Sequence, residues 1–233
     1  MNTNLNFSFL GIVFVIFSYL LGATPTGVWY SLANHKIDVR TLGSGNSGAT
    51  NIGRNFGFKA AAIVAVVDVL KGWIPILLAK LFFADQPLII ILTGIAAVIG
   101  HAYPVFANFK GGKIVATSIG VLLGFNFTLA VIQVICLFTI LFITSLVSFS
   151  SLLSYGATTL YIIIAEPLWV YKLGFLVIYF FMVYRHRANI QRLINNQEPY
   201  LKWGLTYNQK LGFLDGSLIK IRDLITKLGK SKQ

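Results

Sequence analysis

The chain has 233 residues, of which 56% are hydrophobic and 11% are charged, and its formal net charge is +12. Together with a mean hydropathy of +0.76, this composition excludes an ordinary soluble domain, in which about a quarter of the residues are charged. The single cysteine, Cys136, lies in an apolar segment, which excludes a disulfide framework and a cysteine metal site and favours a small buried hydrophobe.

Apolar segments follow one another along the chain, and most approach the roughly 17 to 25 residues that cross a bilayer as a helix. The sequence therefore predicts an all-α polytopic membrane protein with seven transmembrane helices, the fourth and sixth of them short. The predicted segments are 7–32, 60–83, 87–106, 114–124, 127–147, 152–165 and 168–184. We expect residues 1–200 to form this transmembrane domain and residues 201–233 to form a basic cytoplasmic tail.

Lys and Arg are concentrated in alternate connections, mainly in residues 33–59, in residues 108–113 and after Tyr184. The opposite connections carry Asp85 and Glu166 but hardly any basic residue. The positive-inside rule then predicts an external amino terminus and a cytoplasmic carboxyl terminus. The net charge thus reflects membrane topology rather than nucleic-acid binding. Residues 217–228 form an amphipathic pattern suited to the anionic inner leaflet, with a solvated tail as the alternative.

The first predicted cytoplasmic connection contains the polar run Thr41-Leu-Gly-Ser-Gly-Asn-Ser-Gly-Ala-Thr-Asn51. Small residues let several backbone N–H groups converge on one point, an arrangement that suits a phosphate. A mobile connection is the alternative interpretation. The candidate phosphate-binding residues in this run are Gly43, Ser44, Gly45, Asn46, Ser47, Gly48, Thr50 and Asn51.

In addition to this polar run, two basic sequences are predicted on the same membrane face. Lys110 and Lys113 flank Gly111 and Gly112 at the start of a span, where a helix amino terminus also favours negative charge. Residues 185–192, Arg-His-Arg-Ala-Asn-Ile-Gln-Arg, follow the last span. Simple positive-inside anchors would explain the lysines alone. The polar run and the two basic sequences together predict an anion site formed by three loops.

Within the predicted spans, Asp68 and Lys71 lie one helical turn apart. An i, i+3 ion pair reduces the cost of placing either charge in the membrane, so a structural role is at least as well supported as a catalytic one. Residues 24–27, Thr-Pro-Thr-Gly, predict a break in the first span that either lines a cavity or forms a simple kink.

The ordered motifs resemble those of the bacterial acyl-phosphate-dependent glycerol-3-phosphate acyltransferases, integral membrane enzymes with seven spans. The resemblance covers residues 22–198. It rests on the following sequences and residues: Gly43-Ser-Gly-Asn-Ser-Gly-Ala-Thr-Asn51 with Arg54, Asp68-Val-Leu-Lys-Gly72, Gly100-His101 with Pro104, Phe109-Lys-Gly-Gly-Lys113, Val115-Ala-Thr117, Ser148, Ser151, His186, Asn189 and Glu198.

The resemblance implies transfer of a fatty acyl group from acyl phosphate to the 1-hydroxyl of glycerol 3-phosphate. The products would be lysophosphatidic acid and phosphate, in the first step of phospholipid synthesis. It implies neither a cofactor nor a metal. The expected location is the bacterial cell membrane with the active site facing the cytoplasm, and the enzyme that produces acyl phosphate is a possible partner beside the membrane lipids.

Residue roles follow from the same resemblance. Catalytic roles are expected for Ser44, Lys113, His186 and Asn189. Substrate binding is expected for Gly43, Gly45, Asn46, Ser47, Gly48, Thr50, Asn51, Arg54, Lys110, Gly111, Gly112, Ser148 and Ser151. Asp68, Lys71, His101 and Glu198 are assigned structural or undetermined roles.

The chemistry explains the lack of a His followed five residues later by Asp, the dyad of the soluble-type glycerolipid acyltransferases. An acyl phosphate is already activated, so positioning and electrostatics suffice, with the hydroxyl proton passing to a substrate phosphate oxygen. His186 as a general base is the rival route. The residues also leave two other classes of function as alternatives: a transporter of phosphorylated metabolites and a non-catalytic membrane scaffold.

The chain departs from the family pattern at a few positions. Ile114 and Asn196 stand where glycine is usual, Ala188 stands where Glu commonly precedes the Asn, and Ser145 stands where an Arg is expected. If that Arg normally touches phosphate, Arg185 or Arg187 must replace it, or activity is weakened. The segment after about Lys202 exceeds the usual family length.

Overall fold

The structure is a computed structural model that describes residues 9–209, and within that range it contains helices but no strand. The all-α prediction is therefore confirmed. The α-helices are α1 (Phe9–Gly22), α2 (Thr26–His35), α3 (Ala49–Phe56), α4 (Phe58–Phe82), α5 (Pro87–Ala102), α6 (Val115–Phe125), α7 (Phe127–Thr144), α8 (Val147–Ala165), α9 (Trp169–Arg185), α10 (Arg187–Ile194) and α11 (Leu205–Gln209). Short 3-10 helices occupy Val39–Thr41 and Val105–Ala107.

Each of the seven predicted apolar segments overlaps a helix, and five helical segments of the described chain are long and apolar enough to cross a membrane. These five are Phe9–His35, Phe58–Phe82, Pro87–Ala107, Phe127–Thr144 and Val147–Ala165. The other two predicted spans correspond to α6, with 11 residues, and α9, with 17 residues. At about 1.5 Å per residue, α6 rises only about half of the hydrocarbon thickness. A membrane protein is shown, and the count of seven spans stays a prediction.

The predicted break in the first apolar segment is present between α1 and α2. Helix α1 ends at Gly22 and α2 begins at Thr26, with Pro25 as its N-cap. The Lys71 ammonium of α4 donates a hydrogen bond to the Thr24 carbonyl at 3.0 Å. The irregular backbone thus faces a protein donor, as backbone at membrane depth requires.

The described residues form two compact units. The first contains residues 9–132 and Thr158–Arg185, and the second contains Gln133–Ala157 and the residues from His186 onward. The predicted boundary between residues 200 and 201 is not tested by this division. The amphipathic stretch 217–228 lies outside the described residues.

Glycines let two pairs of helices approach closely in the first unit. A Cβ atom on Gly120 of α6 would overlap the Val69 carbonyl oxygen of α4, and one on Gly72 of α4 would overlap the Thr117 carbonyl oxygen of α6. Gly22 of α1 packs in the same way against the Ala97 backbone of α5. Small residues at helix contacts are how membrane helices gain van der Waals packing, since lipid gives no hydrophobic drive between them.

In the second unit, polar side chains connect the parts of α7 and α8 that belong to it. The buried Gln133 amide donates to the Ser154 hydroxyl at 3.2 Å. Thr144 and Ser150 hydroxyls lie 3.3 Å apart beside the turn between the two helices. Cys136, expected to be buried, is instead exposed on α7, which places its side chain on an outward face of an apolar helix.

Candidate functional site

The ends of the glycine-rich first loop are anchored in a hydrophobic cluster of the first unit. Val39 precedes the loop and Ile52 follows it, and both are fully buried with Ala60 and Val64 of α4. Tyr30 and Phe56 pack against the cluster. The loop of residues 43–51 therefore starts and ends on a fixed base, although its own residues are small and polar.

Asn51 determines the shape of this loop. Its side-chain nitrogen lies 3.1, 3.0 and 2.9 Å from the carbonyl oxygens of Val39, Leu42 and Asn46. Its side-chain oxygen accepts from the Ser44 N–H at 3.1 Å. Asn51 is 2% exposed, and both its side-chain oxygen and its side-chain nitrogen are hydrogen-bonded within the chain. It is therefore better suited to organise the loop than to bind substrate directly.

The loop ends at the amino terminus of α3. Gly43 and Gly45 have φ values of 54° and 70°, which only glycine adopts readily, and Gly48 is the N-cap of α3 without a side-chain cap. The N–H groups of Ser44, Gly45 and Gly48 donate to Asn51 Oδ1, the Leu42 carbonyl and Asn46 Oδ1 at 3.1, 3.0 and 2.9 Å. The convergent set of loop N–H groups expected from the sequence is therefore not free at these residues, and the amino terminus of α3 is the part of the loop that suits an anion. Thr50 and Arg54 lie one turn apart on α3 and are exposed.

The second loop, residues 104–113, is held by its backbone. Gly111 N–H donates to the Ala102 carbonyl at 3.2 Å, and Gly112 N–H donates to the His101 carbonyl at 3.1 Å. A Cβ atom on Gly112 would overlap the His101 ring. The two glycines are therefore required for close packing, and both of their N–H groups are already hydrogen-bonded within the chain.

Lys113 comes directly before α6, and Lys110 is exposed on the loop. Ile114, the N-cap of α6, has φ 66° and is fully buried. A left-handed backbone at a β-branched residue is strained, which explains why the family pattern has glycine there. The substitution keeps the turn that places Lys113 at the amino terminus of α6.

A buried ion pair lies next to the second loop in the first unit. Lys71 Nζ is 2.9 Å from Asp68 Oδ1, and both side chains are 4% exposed, so the predicted i, i+3 pair is confirmed. His101 Nδ1 lies 3.7 Å from the same carboxylate oxygen and 3.0 Å from the Thr117 hydroxyl. This network connects α4, α5 and α6 and supports the structural assignment of these residues.

Asp38 and Arg40, which the sequence analysis did not single out, connect the first loop to the second. The carboxylate and the guanidinium form an ion pair at 2.7 Å, and the hydrogen bonds from Arg40 lower the pKa of Asp38. Arg40 Nη1 donates to the Ala107 carbonyl at 2.8 Å and to the Lys110 carbonyl at 3.4 Å. The available signal was that Asp38 is the one acidic residue in the sequence of residues 33–59.

The second unit contains a buried cluster of Ser148, Asn189 and Glu198. Glu198 Oε1 accepts from the Ser148 hydroxyl at 2.5 Å and from the Asn189 amide at 2.6 Å. The Asn189 amide also donates to the Ser148 hydroxyl at 2.8 Å, and Arg192 Nε donates to Glu198 Oε2 at 2.8 Å. Ser148 is thus in direct contact with two residues that follow it by 41 and 50 positions.

Glu198 is ionised in this cluster. Burial raises the pKa of its carboxyl group, but hydrogen bonds from Ser148, Asn189 and Arg192 together outweigh burial and hold the pKa below its usual value. The carboxylate therefore fixes the orientation of the Asn189 amide and the Ser148 hydroxyl. His186, the N-cap of α10, is 2% exposed, and the Ser151 hydroxyl donates to the Ser148 carbonyl at 3.1 Å.

Two departures from the family pattern have structural explanations in the second unit. Ser145 has φ 57°; its carbonyl accepts from Leu201 N–H at 2.8 Å and its hydroxyl accepts from Tyr207 N–H at 3.2 Å. Ser145 thus holds the segment that follows Glu198. Asn196 has φ 55°, a conformation that Asn tolerates far better than most residues. Nothing in the structure explains Ala188.

Arg185 is engaged within the first unit. It donates to the Gly111 and Gly112 carbonyls at 3.3 and 3.0 Å, and its guanidinium lies 5.0 Å from the centre of the Tyr103 ring. The first unit therefore brings together the first loop, the second loop and the start of the third basic sequence. The second unit brings together Ser148, Ser151, Asn189 and Glu198.

Comparison with known proteins gives a consistent result. The sequence profile described as "Glycerol-3-phosphate acyltransferase" matches residues 12–196. A glycerol-3-phosphate acyltransferase of Bacillus velezensis is 44% identical over 190 residues, which cover 81% of this chain and 96% of the relative. That of Lactiplantibacillus plantarum is 37% identical over 199 residues, which cover 85% of this chain and 96% of the relative.

Two solved structures have the same fold. Both are of PlsY (YgiH), an integral membrane glycerol 3-phosphate acyltransferase. The glycerol 3-phosphate form has a TM-score of 0.80 and 34% identity, covering 87% of this chain and 99% of that chain. The lysophosphatidic acid form has a TM-score of 0.75 and 36% identity, covering 82% of this chain and 95% of that chain.

Proposed function

Since the chain belongs to the glycerol-3-phosphate acyltransferase family, we propose that it transfers a fatty acyl group from acyl phosphate to the 1-hydroxyl of glycerol 3-phosphate. The acyltransferase activity with lysophosphatidic acid as product follows from the family. The names of the relatives state neither the acyl donor nor the hydroxyl group that is acylated, so the acyl phosphate donor and the 1-hydroxyl acceptor are our proposal. The observation that carries it is the Arg40 contact that holds two phosphate-suited loops together in one unit.

The reaction needs no protein nucleophile. The 1-hydroxyl oxygen forms an ester bond with the acyl carbon, the bond from that carbon to the phosphate oxygen breaks, and phosphate leaves. The hydroxyl proton passes to a phosphate oxygen of the substrate. An acyl phosphate is already activated, so the protein contributes orientation and charge stabilisation.

Basic and N–H groups of the first unit are suited to the substrate phosphates. The amino terminus of α3, with Ser44, Ser47 and Thr50 beside it, offers donors to an oxyanion. Lys113 at the amino terminus of α6 and Arg54 on α3 supply positive charge. Gly111 and Gly112 contribute by allowing the loop to pack closely, because their N–H groups are bonded within the chain.

In the second unit, Asn189 and Ser148 are held by Glu198 and can present fixed polar groups to the substrate. His186 precedes Asn189 at the start of α10, and we assign it an orienting role in the substrate-assisted route. A protein-base route through His186 would instead give a titrating limb near neutral pH in the rate of the wild-type enzyme.

The proposal includes location and topology. The chain would lie in the bacterial cell membrane with seven spans, an external amino terminus, a cytoplasmic carboxyl terminus and the basic loops facing the cytoplasm. The basic concentration of residues 33–59 and 108–113 supports this orientation. A cytoplasmic face would give access to soluble glycerol 3-phosphate and to the enzyme that produces acyl phosphate.

A donor comparison tests the proposal. Purified protein in detergent would receive radiolabelled glycerol 3-phosphate with either palmitoyl phosphate or palmitoyl-coenzyme A, and labelled lysophosphatidic acid would be measured. We expect product with palmitoyl phosphate and none above background with the thioester. Product with the thioester alone would overturn the donor assignment, and a product that carries the acyl group on the 2-hydroxyl would overturn the assigned acceptor position.

A further inference from the structure

Two arginines bind four backbone carbonyls of the second loop. Arg40 Nη1 donates to the carbonyls of Ala107 and Lys110. Arg185 donates to the carbonyls of Gly111 and Gly112 through Nε and Nη2. The loop lies just before α6 and ends at Lys113, so its backbone conformation determines where the Lys113 ammonium is presented.

Arg40 lies in the 3-10 helix Val39–Thr41, just before the first loop, which makes its contact different from that of Arg185. It lies between Val39, which is fully buried, and the glycine-rich run. Its Nε and Nη2 atoms are 2.7 to 3.1 Å from the Asp38 carboxylate oxygens, and Asp38 also accepts from the Arg40 N–H at 2.9 Å. Asp38 therefore holds one edge of the guanidinium and leaves Nη1 for the second loop.

We propose that Arg40, oriented by Asp38, is a positioning residue that fixes the second loop against the first so that Lys113 meets the substrate phosphate. The proposal rests on the function proposed above. Arg40 acts through the backbone of residues 107–110 and does not itself contact substrate. Asp38 and Arg40 form a unit in which each residue is needed for the other.

The charge distribution supports positioning rather than phosphate binding by Arg40. A guanidinium paired with a carboxylate on two nitrogens has its charge compensated, and its third nitrogen is already bonded to carbonyls. Arginine suits this role because its planar fork presents donors along two edges, whereas the lysine ammonium is a single point charge. A lysine at position 40 could keep the charge but could not bridge Asp38 and both carbonyls.

Three variants separate the possible roles of Arg40. Arg40→Ala removes both the planar guanidinium and its charge, whereas Arg40→Lys removes the planar guanidinium but keeps a positive charge. Asp38→Asn removes the negative charge that holds the guanidinium, so the net charge of the protein rises by one unit. We expect all three to lower kcat/KM for glycerol 3-phosphate by about tenfold, the equivalent of losing one hydrogen bond to a charged group. The KM for acyl phosphate should stay within about twofold of wild type.

Asp38→Asn gives the sharpest discrimination. If Arg40 bound a substrate phosphate directly, release from Asp38 would strengthen that contact and raise kcat/KM. If Arg40 acts as a positioning residue, the same change disorders the guanidinium and lowers kcat/KM. Lys59→Ala is the matched control, because Lys59 is an exposed basic residue at the start of α4, and it should behave as wild type.

Hydrogen exchange supplies a readout that needs no activity. The Gly111 and Gly112 N–H groups bond to Ala102 and His101 carbonyls, so their exchange reports the conformation of the second loop. In full-length protein in detergent, Arg40→Ala and Arg40→Lys should both exchange faster over residues 105–113, with unchanged exchange over α7. Lys59→Ala should exchange like wild type.

The outcomes are decisive for the proposal. Wild-type kcat/KM in Arg40→Lys, a higher kcat/KM in Asp38→Asn, or unchanged exchange over residues 105–113 would each overturn it. If the wild-type protein transfers no acyl group, the proposed function fails, while the exchange measurements still decide whether Arg40 fixes the loop.

Discussion

At the scale of single residues, the side chains that organise the loops are distinct from those that can meet a substrate. Asn51 is bonded within the chain through both its side-chain oxygen and nitrogen, His101 through Nδ1 and Asp38 through both carboxylate oxygens. Lys110 and Ser44 are exposed on the loops, and Thr50 is exposed at the start of α3. A substitution in the first group is therefore expected to change loop conformation, and one in the second group to change substrate affinity.

Lys113 and Arg54 are the basic residues for which the strongest effect on substrate use is expected. If they bind substrate as proposed, replacing either by Ala removes a charge-assisted partner of a phosphate oxygen, worth about 1.5 to 3 kcal/mol. We predict that kcat/KM for glycerol 3-phosphate falls by about 10- to 150-fold in each variant. Steady-state kinetics with Lys59→Ala as control checks this. Near-normal kinetics in both variants would contradict the assignment.

Glu198 is expected to make stability depend on pH. Because the pKa of Glu198 in the folded protein lies below its ordinary value of 4.5, the ionised carboxylate stabilises the fold at pH values above 4.5. This stabilisation is lost as the pH falls through the lower folded-state pKa. We predict that Glu198→Gln lowers the melting temperature in detergent at pH 7, and that the difference from wild type narrows below about pH 4.5.

The control for Glu198 is Gln197→Ala, since Gln197 is an exposed neighbour. Its melting temperature should follow that of wild type at every pH. A difference between Glu198→Gln and wild type that is the same at pH 4 and pH 7 would show that the carboxylate charge does not stabilise the cluster.

At the scale of helices and loops, close contacts between backbones position the site. Helix α6, whose amino terminus follows Lys113, packs on α4 at Gly120 and Gly72. The break between α1 and α2 is satisfied by Lys71 of the same α4. The second loop thus rests on helices whose separation is set by glycines. Added side-chain volume at those contacts should therefore change the position of the loop.

Gly120→Ala tests this packing. The added methyl group would overlap the Val69 carbonyl oxygen, which belongs to helix backbone and cannot move aside. We predict a destabilisation of about 1 to 3 kcal/mol from overpacking, seen as a lower melting temperature, despite the higher helix propensity of Ala. Val66→Ile adds one carbon atom to an exposed side chain of α4 and should have no effect. Equal stability of the two variants would contradict the packing argument.

The elements differ in how well sequence predicted them. The break at residues 24–27 and the pair of Asp68 and Lys71 were predicted because local rules govern them, proline chemistry and helical spacing. The contact of Arg40 with Ala107 was not, because it joins residues 67 positions apart and nothing in a local pattern specifies it. The exposure of Cys136 was also missed, since an apolar helix in a membrane gives no sequence signal of which face points outward.

At the scale of the whole molecule, family membership and composition agree on a polytopic membrane enzyme. Each predicted apolar segment overlaps a helix of the described residues 9–209, because the bilayer requires long apolar runs. The cluster of Ser148, Asn189 and Glu198 was anticipated only as separate motif positions. Its hydrogen bonds connect α8, α10 and the segment after α10, and spacing along the chain cannot specify such contacts.

Labelling with a membrane-impermeant maleimide tests the topology. Cys136→Ser gives a background without cysteine, since Cys136 is the single cysteine of the chain. We predict that Asp85→Cys in this background is labelled from outside intact cells, and that Lys59→Cys is labelled only after the cells are opened. Labelling of Lys59→Cys in intact cells would reverse the orientation and contradict a cytoplasmic site.

The most direct test of the central claim is phosphate release by the purified protein in detergent, given palmitoyl phosphate with and without glycerol 3-phosphate, with lysophosphatidic acid measured in parallel. Acyl transfer predicts phosphate release that requires glycerol 3-phosphate, matches the lipid formed one to one, and is strongly reduced in Lys113→Ala. Phosphate release that is independent of glycerol 3-phosphate, or no release from well-folded protein, would contradict the proposed reaction.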